Sequence, residues 1–146
     1  MDVRDIMTDN PATCRPETNL RDVARLFVDH DCGAIPVVDE SGRPIGIITD
    51  RDIAVRAVAE GKNPLDLPAR DCMTPGTVTV TPDTGVKECM DLMGDHQVRR
   101  IPVVDENGRC CGIVSQADVA LEAGDRKAGT VLKDVSRPGQ GTFAHH

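Results

Sequence analysis

Tryptophan and tyrosine are missing from the 146 residues, and phenylalanine occurs only at Phe27 and Phe143. A bound base would find no aromatic platform here and would have to lie between aliphatic side chains. A basic excess is missing too. Seventeen Lys and Arg against 24 Asp and Glu leave a net charge of −7, which argues against a nucleic-acid partner, because no face can displace many phosphate counterions. No run approaches the ~20 apolar residues of a membrane span, and the opening MDVRDIMTDNP lacks the apolar core of a signal peptide. No membrane partner is expected, and the cytoplasm is the expected compartment.

Gly-x-Gly-x-x-Gly loops, Walker-type loops and nucleophile elbows are also lacking. The chain therefore reads as a non-enzyme, with no catalytic residue and no catalytic cofactor. Six cysteines are present but form no Cys-x-x-Cys. Cys110 and Cys111 are adjacent on an expected strand and point to opposite faces, so one metal could not take both. The cysteines read as reduced thiols filling small apolar sites, and no metal site is expected.

What is present is a duplication. Ile-Pro-Val-Val-Asp-Glu begins at Ile35 and again at Ile101, an offset of 66 that holds from Asp5/Asp71 and Met7/Met73 to Asp52/Asp118 and Ala54/Ala120. Twin units of this size bury their apolar faces on each other, and two pseudo-equivalent clefts should form at the seam. The first unit is assigned to residues 1–61, a connection to 62–70, the second unit to 71–123, and a mobile tail or docking arm to 124–146. Each unit reads as an extended segment (Ala12 to Cys14, Thr77 to Val80), a helix, a hairpin and a second helix. Thr18 and Thr84 are the expected caps of the first helices. Turn chemistry at Asp39–Arg43 joins the hairpin strands, and the second helix of the first unit should run from about Asp52 to Glu60 and stop at Gly61. The fold class is α/β, mixed α+β, as two tandem βαββα repeats with pseudo-twofold symmetry.

The chemically informative element is Gly46-Ile-Ile-Thr49-Asp-Arg-Asp52, echoed as Gly112-Ile-Val-Ser115-Gln-Ala-Asp118. A hydroxyl three residues before a carboxylate at a helix start is a capping box. The same place offers helix N-terminal amides and a hydroxyl to phosphate, and an Asp that can accept from both hydroxyls of a ribose.

With the duplication, these signatures resemble a pair of cystathionine-β-synthase (CBS) domains, a Bateman module, over roughly Val3 to Glu122. The resemblance implies adenosyl ligands such as AMP, ADP, ATP or S-adenosylmethionine in the clefts, a homodimer, and regulation of a partner protein. It implies Asp52 and Asp118 as ribose ligands, and Thr49 and Ser115 as phosphate-side hydroxyls. Arg99 and Arg100 stand where the family often has phosphate-contacting basic residues, and Arg51 is a further candidate. The base is expected at Thr13 and Cys14, or at Thr79 and Val80. Gly33, Ala34 and Ala117 stand opposite Arg99, Arg100 and Arg51, so the cleft holding Asp52 should be the better served. The rival reading is a ligand-free dimerisation module in which both hydroxyl–Asp pairs are only caps.

Overall fold

The structure, a computed structural model, describes the backbone over residues 1–128 and side chains as far as Glu122. Two three-stranded antiparallel sheets form the centre of the molecule. The first has the order β2 (Ala34–Val38), β3 (Pro44–Thr49), β4 (Thr74–Pro75); the second has the order β5 (Arg100–Val104), β6 (Cys110–Ser115), β1 (Thr8–Asp9). The short third strand of each sheet therefore comes from the opposite repeat. Thr8 and Asp9 pair with Ile113 and Gly112, while Thr74 and Pro75 pair with Ile47 and Gly46. The expected extended segments are single parallel bridges, Cys14 to Val37 and Val80 to Val103.

The exchange has a local cause at Gly46 and Gly112. A Cβ on Gly46 would lie 2.7 Å from the Thr74 carbonyl oxygen and 3.1 Å from Met73 Sδ; on Gly112 it would lie 2.7 Å from Met7 Sδ. Glycine thus admits the opposite repeat's Met-Thr strand. Further backbone bonds lock the exchange. Val3 N–H donates to the Thr84 carbonyl at 2.8 Å, and its counterpart Ala69 donates to Thr18 at 2.7 Å. In consequence Val3 lies fully buried in the core with Val80, Cys89, Ile101, Val103 and Val114. Ala69 and Cys72 lie fully buried in the other core, beside Leu20, Val23, Ile35 and Ile48. The boundary between repeats in sequence is not the boundary between cores in space.

Helices α1 (Leu20–Asp29) and α3 (Val86–His96) cover the two sheets. Thr18 and Thr84 do not cap them. Their hydroxyls accept from the Arg15 and Thr81 amides, closing the preceding turns, and the capping positions fall one residue later. Asn19 caps α1 by accepting from the Arg21 amide at 2.8 Å, whereas Gly85 at the start of α3 makes no side-chain cap. Helix α2 (Asp50–Ile53) begins two residues earlier than its spacing suggests. It continues as a π-helical turn over Ala54–Val58, and Gly61 follows at φ +75°. Helix α4 (Gln116–Ala128) runs past Gly124, so the tail expected from that residue starts as helix. The remainder of that expectation lies outside the described residues.

Candidate ligand cleft

Strand β3 delivers Thr49, and the first turn of α2 delivers Asp52. The two are fixed by a reciprocal box: the Asp52 amide donates to Thr49 Oγ1 at 3.0 Å, and the Thr49 amide donates to Asp52 Oδ2 at 2.9 Å. Ser115 and Asp118 repeat this with both distances at 3.0 Å. In each box the carboxylate gives one oxygen to the helix start and keeps Oδ1 outside it.

A cavity of about 330 Å³ opens beside the first box, within the size range of small-molecule sites. Ile47, Thr49 and Asp52 form one wall. The other walls come from the second repeat, through Thr74, Gly76 to Val78, Gln97 to Arg100, and Pro102. Four of the residues singled out in the sequence, Thr49, Asp52, Arg99 and Arg100, are thus brought together in one space. Arg51 is exposed and does not line it. Ser115 and Asp118 belong to the twin position, and the residues there that match Gln97, Arg99 and Arg100 are Asp31, Gly33 and Ala34. One carboxylate faces two guanidinium groups in the first cleft, whereas the second has two carboxylates and no cation at these positions.

Two expectations about backbone groups need correcting. The amides at the start of α2 are not open to a phosphate: Asp50 donates to the Gly33 carbonyl, Arg51 to Asp50 Oδ1, and Asp52 to Thr49. Thr49, Arg99 and Arg100 are among the polar residues that line the cavity on this side. Cys14 and Val80 do not line it. Both side chains are buried in the cores, and both backbones are paired, with Cys14 donating to Pro36 and accepting from Val38, and Val80 donating to Pro102 and accepting from Val104. Thr13 and Thr79 are exposed and lie outside the cavity. The edge of the extended segment that meets the cavity is Thr77 and Val78, two residues earlier, whose backbone groups make no hydrogen bond among the described residues. The buried side chains of the twins Cys14 and Val80 were the signal that these positions face inward.

Burial raises the thiols. Cys14 is pushed up to about 11, and desolvation likewise lifts Cys32, Cys72, Cys89, Cys110 and Cys111. Such thiols stay protonated at neutral pH and are poor nucleophiles. Among the described residues no three His, Cys, Asp or Glu side chains converge on a point that could hold a metal ion.

The CBS domain family matches the chain twice, over residues 3–58 and 69–124. The chain belongs to this family. Among relatives, the uncharacterized protein MK0525 of Methanopyrus kandleri is 40% identical over 116 residues, which cover 80% of this chain and 57% of that protein. The chain thus spans little more than half of that relative's length. The CBS domain pair of protein MJ0100, solved in complex with 5'-methylthioadenosine and S-adenosyl-L-methionine, is 31% identical with a TM-score of 0.77, over 87% of this chain and 98% of that one. Hypoxic Response Protein I, solved with two coordinated zinc ions, is 33% identical with a TM-score of 0.72, over 82% and 97%. Both overlays span the two CBS repeats, and no helix among the described residues is long and apolar enough to cross a membrane.

Proposed function

We propose that this CBS pair is a regulatory sensor that takes an adenine nucleotide in the cleft beside Asp52 and passes the occupancy to a partner protein. The observation that carries this reading is the convergence of Thr49 and Asp52 of one repeat with Arg99 and Arg100 of the other around one cavity. The free Oδ1 of Asp52 accepts from the ribose diol, the guanidinium groups meet phosphate oxygens, and the Thr77–Val78 backbone reads the adenine edge between aliphatic neighbours. The adenosyl ligands bound by the 31%-identical pair support the same ligand class.

The second cleft, with Ser115 and Asp118, is the weaker phosphate site because Asp31 replaces Gln97 and no arginine stands beside it. Ligand biases the angle between repeats only through its differential affinity for the two states. Exposed Val28, Val55, Val58 and Met90 on the helices favour self-association as a homodimer, in the cytoplasm.

Calorimetric titration with AMP, ADP, ATP and S-adenosylmethionine tests this, with Asp52→Asn as the decisive variant. Asparagine still offers one oxygen to the Thr49 amide but replaces the other with a donor, so the cap survives and the ribose contact is lost. Affinity should fall with the melting temperature held; an unchanged affinity would remove Asp52 from the site. The rival, a ligand-free dimerisation module, is favoured by one fact: both carboxylates already serve a helix start. Ligand at ~100 times its dissociation constant adds about 2.7 kcal/mol to stability, so a melting point unmoved by every adenosyl compound selects the rival.

A further inference from the structure

The helix that carries Asp52 differs from its twin in one turn. Over Ala54–Val58 it widens to a π-helix, with the Ala59 amide donating to the Ala54 carbonyl at 2.8 Å, whereas α4 is α-helical from Gln116 to Ala128. Widened turns of this kind are frequent at functional sites. At the centre of this one is Arg56, four residues beyond Asp52. Its Nη1 donates to the carbonyls of Cys72 at 2.9 Å and Met73 at 2.8 Å. Those two carbonyls immediately precede Thr74, which lines the cavity. Arg56 itself does not line the cavity. The twin position is Glu122, whose carboxylate cannot donate to a carbonyl.

We propose that Arg56 is a positioning residue of the first cleft. It ties the helix bearing Asp52 to the strand bearing Thr74 and so fixes the gap a ligand must span. A charged donor makes the stronger class of hydrogen bond, and here one nitrogen holds the two successive carbonyls that lead into the two-residue strand Thr74–Pro75. Glu122 cannot make this pair of donations, so this contact belongs to the first cleft. The inference rests on the nucleoside reading of the cleft, and the test separates the two.

Wild type, Arg56→Met and Arg56→Lys are titrated with AMP and with adenosine, and amide hydrogen exchange is followed without ligand. Arg56→Met should weaken both probes to a similar degree, on the order of tenfold, and Arg56→Lys should recover part of the loss. The Gly76 amide, which donates to the Ile45 carbonyl beside β4, should exchange faster in Arg56→Met, while its twin at Asn10, which donates to Cys111, should not change. If AMP weakens and adenosine does not, Arg56 acts as a charge on phosphate and the positioning role falls. Unchanged affinities, or Gly76 protection equal to wild type, also overturn it. If wild type binds neither probe, the nucleoside reading fails, and the Gly76 exchange still decides whether Arg56 holds the wall. Should Arg56→Met fail to fold, Arg56→Lys is judged by the same two readouts.

Discussion

Asp52 shows how one residue serves two ends: its Oδ2 closes the helix start, and the same residue lines the cavity. Asp52→Ala should therefore cost about 1 kcal/mol of stability from the lost cap, a loss that Asp52→Asn avoids and that denaturant midpoints would measure. At Cys14 the effect is one of pH. Its thiol, ordinarily near 9, is raised by burial to about 11. Below pH 9 both folded and unfolded chains hold the proton; as pH rises toward 11 the unfolded chain releases it first, so stability declines across that window. Cys14→Val, which installs the residue found at the twin position Val80, should leave stability at pH 7 nearly unchanged and flatten part of that decline, as urea midpoints at pH 7 and 10 would show. The hydroxyl–Asp boxes were legible in the sequence because the duplication sets each beside a counterpart, whereas Arg99 and Arg100 were singled out by the family resemblance and the duplication only exposed their asymmetry. That Thr77 and Val78 are the part of the extended segment that meets the cavity was not legible. An extended segment does not announce which of its residues pair with a strand and which run free, and that is settled by the Cys14–Val37 and Val80–Val103 bridges.

Among the elements, the hairpins and both helices of each repeat could be read from aliphatic runs and turn chemistry, since a five-residue strand and a helical stripe carry their own pattern. The two-residue strands could not. Thr8–Asp9 and Thr74–Pro75 are too short for any periodicity, and they exist only because a glycine on the other repeat admits them. Gly46→Ala should destabilise by about 1–3 kcal/mol, because the intruding Cβ meets the Thr74 carbonyl, a backbone atom, at 2.7 Å. Gly112→Ala should cost less, since its nearest neighbour is the sulfur of Met7, the end of a flexible side chain. Thermal melts of the two variants side by side would check this order, and equal losses would deny the distinction. The π-helical turn was equally hidden in sequence, because Ala-Val-Arg-Ala-Val carries no mark that separates it from an ordinary helical turn.

For the whole molecule, the cores are shared by exchange. Val3 completes one, and Ala69 and Cys72 complete the other. Fragments 1–61 and 62–146 should therefore be largely unfolded when made separately and regain far-ultraviolet helix signal and amide dispersion when mixed in equal amounts; a fragment that folds alone would contradict the shared cores. This interdependence also sets a timetable for the nascent chain. Thr8 and Asp9 leave the ribosome about a hundred residues before their sheet neighbours Ile113 and Gly112, and the first sheet waits for Thr74. Neither core can close until the second repeat has begun to emerge, and in the interval Thr8 and Asp9 have no strand to pair with.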